Sequence, residues 1–227
     1  MADRGCFPMS ASYVTLLLAD GRLPTGAHTQ SAGLEPALRH GMTLAEVPRY
    51  LTARLQTITE VEAAAAVLAR HQWLTAPDRI AALAEVDKAW RVRTLSDAAR
   101  DSSDLLGRSY ARLVTALWSL GLEPGRTYCR AVVVGAAAAA AGLDGPSVAR
   151  LIGYDDVQTV ISAALKLSPF DPVEGVRWSL AAEPQVAQLV GRVGGLTRVA
   201  DMPAYSAPQM EQWAQLHRTA ERRLYRA

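Results

Sequence analysis

A chain of 227 residues is long enough to bury a full apolar core, and a single domain is the expectation. Half of the residues are hydrophobic, 20% are charged and the formal charge is only +2, which argues against disorder and against binding driven by nucleic-acid phosphates. Two cysteines, Cys6 and Cys129, make no disulfide framework, so a reducing compartment is expected.

In chain order, residues 1–10 lack a basic stretch followed by an apolar core, which argues against a signal peptide; they read as a flexible N-terminus. Residues 11–20 form a short apolar helix ending at Asp20-Gly21. In Leu23-Pro24-Thr25-Gly26, Pro24 fixes its own φ and pushes Leu23 toward extended backbone, so no helix crosses this point. After Ser31-Ala32-Gly33-Leu34-Glu35, a new apolar period of Leu34, Leu38 and Met42 stops at Gly41. The spacing then predicts one long helix over 43–73, opened by a Thr43/Glu46 capping box and striped by Leu44, Val47, Leu51, Leu55, Ile58 and Val61. The alanines at 63–66 suit close approach by a neighbouring helix.

Helices are expected over 78–92 and 96–120. In the second, Ser103 and Gly107 stand one turn apart on one face. Glycine in mid-helix costs about 1 kcal/mol against alanine, which a tight crossing or a partner contact would offset. The alanine-rich stretch 127–143 reads as a buried helix, since its apolar run falls short of the roughly 20 residues that cross a bilayer. A helix over 147–167, with an interruption expected at Gly153-Tyr154, leads into Lys166, Pro169, Gly175 and Arg177, a helix end joined to the next helix by a stiff turn. Helices over 183–193 and 207–226 close the chain. The last sets Met210, Trp213, Leu216 and Leu224 on one side and Glu211, His217, Arg218 and Glu221 on a solvated remainder. No period-two alternation appears, and the class expected is an all-α bundle of roughly eight to ten helices.

Three of these blocks together resemble the urease accessory protein F (UreF) family. The first is Leu23-Pro24-Thr25-Gly26 with Ser31-Ala32-Gly33-Leu34-Glu35 and His40-Gly41; it departs at His28, where the family usually has phenylalanine, and at Gln30. The second is the Ser103/Gly107 helix. The third is Ala163-Ala164, Lys166-Leu167, Pro169, Gly175 and Arg177, with Asp171-Pro172 and Val176 at positions where the family carries glutamine. The resemblance implies an all-α, homodimeric assembly factor without catalysis or cofactor; the lack of a targeting segment or membrane-length apolar run in the sequence makes a cytoplasmic protein the expectation. It implies binding to the accessory protein UreD/UreH, recruitment of the GTPase UreG, and promotion of nickel insertion into apo-urease. It points to Leu23, Pro24, Gly26, His28, Ser31, Gly33 and Glu35 as shapers of one contact surface, to Lys166, Pro169, Gly175 and Arg177 as shapers of a second, and to the C-terminal region, 203–227, in assembly.

The residues themselves carry little reactive chemistry. His28 and Ser31 are the residue types of a base and a nucleophile, but the sequence assigns no third group to orient the histidine and no Gly-x-Ser-x-Gly elbow is present. No Walker-type phosphate loop appears. The four histidines, His28, His40, His71 and His217, are scattered without metal-ligand spacing. The reading is therefore no enzyme, no cofactor, no metal, no nucleic acid and no membrane span. Two other classes stand beside it: an all-α binding or regulatory protein with no role in urease, and a small enzyme using His28 or Ser31.

Overall fold

Small residues decide where the helices of this chain cross. In the computed structural model, which describes residues 10–118, 120–220, 224 and 225, ten α-helices and three short 3-10 turns are present and no strand appears among the described residues. The helices are α1 (Ala11–Leu18), α2 (Leu34–Arg39), α3 (Val47–Leu55), α4 (Ile58–Thr75), α5 (Arg79–Arg93), α6 (Asp97–Trp118), α7 (Arg130–Ala140), α8 (Gly145–Leu167), α9 (Pro172–Val193) and α10 (Pro208–Arg218). The chain is all-α, as the periodicity predicts. None of these helices is long and apolar enough to cross a membrane.

The centre is the crossing of α4 on α7. Ala63, Ala64, Ala65 and Ala66 are fully buried, and a Cβ at Gly135 of α7 would run into the carbonyl oxygen of Ala66. The two alanine-rich stretches that look featureless in the sequence thus face one another, and their lack of bulk lets the backbones approach. Around that axis α5, α8, α9 and α3 pack on α4, while α6 packs on α7. The expected Ser103/Gly107 crossing is there: a Cβ at Gly107 would strike the carbonyl oxygen of Tyr128, and Ser103 Oγ accepts the N–H of Arg130 at 3.0 Å. Cys129, buried at the start of α7, donates its own N–H to Asp87 of α5 at 2.7 Å. Two of the amides a helix start leaves unpaired are therefore capped by neighbouring helices.

Several boundaries differ from the sequence reading. The Thr43/Glu46 capping box is present, Glu46 accepting the Thr43 N–H at 2.8 Å, but the helix expected over 43–73 breaks at Gln56-Thr57. Arg54 and Thr59 both bond the Asp156 carboxylate; five residues apart on a straight helix they would point about 140° away from each other. The break resolves that conflict. Gly153 does not interrupt α8; it lets Val186 and Leu189 of α9 come close. Helix α9 starts at Pro172, well before 183, because Asp171 caps the Val173 N–H at 2.9 Å and Pro172 takes the first helical position, where no amide is needed. Pro184 lies inside this helix on its exposed side, where water can serve the carbonyl left without a donor.

The last helix ends at Arg218 rather than 226, and Leu224 and Tyr225 turn back against the body. Residues 221–223, 226 and 227, like the N-terminal residues 1–9 with Cys6, lie outside the described residues. His217, expected on the solvated face, is 3% exposed, with Nε2 3.0 Å from the Tyr225 carbonyl oxygen; Leu216, expected on the apolar side, is exposed.

Candidate functional site

The loop between α1 and α2 has an outer and an inner half. Arg22, Pro24 and His28 are exposed and Leu23 is half-buried, whereas Thr25, Gln30, Ser31, Leu34 and Glu35 are buried. The outer half is a tight turn: Thr25 N–H bonds the Leu23 carbonyl at 2.7 Å, Gly26 follows at φ +82°, and a 3-10 turn from Ala27 to Thr29 carries His28 outward. Leucine, proline and glycine here set backbone shape, as the turn chemistry predicts.

The inner half is held by side chains from far along the chain. Ala32 and Gly33 both adopt left-handed backbone, φ +51° and +77°, and for alanine that conformation costs about 1–2 kcal/mol. Two donors from α3 pin the strained residue: Tyr50 Oη bonds the Ala32 carbonyl at 2.7 Å and Arg54 Nη1 bonds it at 2.8 Å. Arg54 is fixed in turn by a two-pronged pair with Asp156 of α8, Nε to Oδ2 at 2.9 Å and Nη2 to Oδ1 at 2.5 Å, and Thr59 adds a bond to the same carboxylate at 2.8 Å. Burial alone would push the Asp156 carboxyl up, but the Arg54 guanidinium and the Thr59 hydroxyl reverse this and hold it below the usual carboxylate range. Tyr50, Arg54, Thr59 and Asp156 did not stand out in the sequence, because a tyrosine, an arginine and two small polar residues on amphipathic helices carry no local pattern.

Glu35, expected on a contact surface, is 1% exposed and occupied inside the chain. Its carboxylate accepts the backbone N–H groups of Leu224 and Tyr225, each at 2.8 Å, and pairs with Arg39 at 2.6 Å. The C-terminal segment is thereby tied to the motif helix α2.

Two of the three blocks meet at this point and the third joins them from the side. Gln30 of the loop accepts the Ser102 hydroxyl of α6 at 2.8 Å, next to Ser103. Lys166 at the end of α8 sets its Nζ 5.7 Å from the ring centre of Tyr225, whose N–H is held by Glu35. Beyond it, Pro169 is exposed, Phe170 stacks on Trp178 at 4.8 Å, and Gly175 lets α9 press on Ile161, whose Cγ2 would stand 2.9 Å from an added Cβ. Arg177 points outward and pairs with Glu174 of its own helix at 2.9 Å. Beside it Val173, Val176 and Leu180 are exposed, and their spacing sets them on one face of α9.

His28 and Ser31 lie in different halves of the loop. His28 is exposed on the turn and Ser31 is buried, its Oγ accepting the Glu35 N–H at 3.4 Å to help start α2. Among the described residues no three His, Cys, Asp or Glu side chains converge in a way that would hold a metal ion.

Comparison with known proteins reaches beyond these blocks, although the family pattern itself begins after the motif loop. The sequence pattern of the UreF family matches residues 43–183. The urease accessory protein UreF of Mycolicibacterium vanbaalenii is 33% identical over 225 residues, covering 96% of this chain and 99% of that one. Proteins of the same name from Mycobacterium marinum and Mycobacterium tuberculosis are each 34% identical, covering 73% of this chain and 77% of theirs. With that identity sustained from end to end, the chain belongs to the UreF family of urease accessory proteins.

Proposed function

We propose that this protein is a non-catalytic scaffold for urease maturation, acting as one all-α unit and as a homodimer in the cytoplasm. In this reading it binds the UreD/UreH accessory protein, recruits or regulates the GTPase UreG, and promotes nickel insertion into apo-urease. The observation that carries the reading, beside family membership, is the clamped loop: Ala32 is held in left-handed backbone by Tyr50 and Arg54, while Pro24 and His28 stand exposed on the same loop. A scaffold acts only by binding one state of a partner better than another, so it needs a contact surface of fixed shape rather than a reactive group. The exposed Val173, Val176 and Leu180 beside Arg177 supply an apolar stripe with a charged edge, the composition of a protein contact.

The test is urease activation in cells carrying or lacking this chain, at low and at high nickel. Active urease in its absence at low nickel would end the proposal. Pull-down with the chain as bait is expected to retain UreG only when UreD/UreH is present.

A further inference from the structure

Helix α9 carries two apolar stripes, and the body of the chain uses one of them. Gly175, Trp178, Ala182, Val186, Leu189 and Val193 are buried where α9 packs on α8, α3 and α4. At about 100° per residue, Val173, Val176, Leu180, Pro184, Ala187 and Gly191 fall within about 80° of one another on the opposite side. All six are exposed among the described residues, Val173 by 54%, Val176 by 59% and Leu180 by 70%. A helix that is apolar on both sides has the pattern of one covered on both sides. From residue 173 to residue 191 the outer stripe runs about 27 Å.

The order of side chains along the stripe indicates what covers it. Its first half is bulky, Val173, Val176 and Leu180, and its second half is small or flat, Pro184, Ala187 and Gly191. A second α9 laid antiparallel, about a two-fold axis at the level of Ala182, sets Val173 opposite Gly191, Val176 beside Ala187 and Leu180 opposite Pro184. Each bulky half then meets a small one and fills the groove it leaves. A parallel pair would instead stack Leu180 on Leu180 and leave a gap at Gly191.

The charges beside the stripe fit the same pairing at its ends. This two-fold brings each flank of the helix against its own copy, and one flank carries Glu174 near its start and Arg192 near its end. Antiparallel pairing places each Glu174 beside the other copy's Arg192. Both already have a partner inside the chain, Arg177 at 2.9 Å and Glu60 at 2.8 Å, yet their side chains stay 42% and 38% exposed. The other flank carries Glu183, which meets its own copy near the axis and opposes association there.

We propose that the outer stripe of α9 is a self-association face that closes an antiparallel two-fold dimer of this chain. The assignment names the face of the homodimer proposed above and rests on that part of the reading alone.

The test is sedimentation equilibrium of the full-length chain, with disulfide trapping to read the register. A dimer of micromolar affinity is expected, since a single helix pair lies at the small end of stable interfaces. Val176→Glu and Leu180→Glu, both at exposed positions, should each weaken it at least about tenfold, with circular dichroism confirming that the helices persist. Glu183→Gln removes the repulsion at the axis and should tighten it. For trapping, Cys6→Ser leaves the buried Cys129 as the remaining native thiol, and Gly191 has open space for a side chain. With an added oxidant, a mixture of Val173→Cys and Gly191→Cys proteins should cross-link, whereas neither should alone, because like positions stand about 27 Å apart. Trapping decides if a glutamate variant does not fold. A dimer that survives both folded glutamate variants would overturn this face and leave the homodimer reading standing. A parent that stays monomeric at about 100 µM would overturn both. Val173→Cys cross-linking to itself as readily as to Gly191→Cys would overturn the antiparallel pairing.

Discussion

Gly33 is the position where loop shape can be tested most directly. Its φ of +77° costs a side-chain-bearing residue about 1–2 kcal/mol. An alanine Cβ there would also stand 2.9 Å from Tyr50 Oη, too close for contact, and would push the hydroxyl off the Ala32 carbonyl that it bonds at 2.7 Å. Losing that bond adds about 1 kcal/mol, so Gly33→Ala should destabilise by about 2–3 kcal/mol. Tyr50→Phe alone should cost about 1 kcal/mol, because Arg54 still serves the carbonyl. In the double variant nothing is left to collide, and the bond to the carbonyl is lost only once. The combined loss should therefore fall short of the sum by about 1 kcal/mol. Urea denaturation followed by far-ultraviolet circular dichroism measures all three, with partner capture by the folded proteins reporting on loop shape. Strict additivity, or a Gly33→Ala protein as stable as the parent, would refute the clamp.

Other consequences follow from the same contacts. Asp156→Asn leaves the buried Arg54 guanidinium without its counter-charge and should cost about 3–5 kcal/mol. Because the folded-state value of Asp156 lies below the unfolded one, its contribution is complete above about pH 4 and is lost as pH falls through the folded value. The parent should therefore lose melting temperature in acid more steeply than the variant; parallel acid limbs would contradict the assignment. Gly107→Ala improves helix propensity by about 1 kcal/mol, yet its Cβ meets the Tyr128 carbonyl, so chemical denaturation should show a net loss of about 2 kcal/mol. A gain in stability would mean that α6 and α7 are not in close contact there. His28→Ala should stay within about 0.5 kcal/mol of the parent in stability while weakening pull-down of UreD/UreH. Undiminished capture would remove the exposed turn from the proposed contact.

Much of the helical architecture was legible in the chain itself. Periodic apolar positions locate α5 and α6 to within a few residues, the Thr43/Glu46 box marks a true helix start, and the glycines at 33 and 107 mark real backbone constraints. The break at Gln56-Thr57 was not legible, because its cause is a carboxylate about a hundred residues away. The early start of α9 is written locally in Asp171-Pro172, a cap followed by a proline at the first helical position.

Composition and spacing by themselves determine that this is a helical chain and where its tight turns fall, since both depend on residues near one another in sequence. Which half of the motif loop faces outward is decided by tertiary structure alone. So are the occupation of Glu35 by the backbone of Leu224 and Tyr225 and the burial of His217 against the Tyr225 carbonyl. A buried polar group is defined by the partner that satisfies it, and these partners arrive from distant segments only when the helices pack.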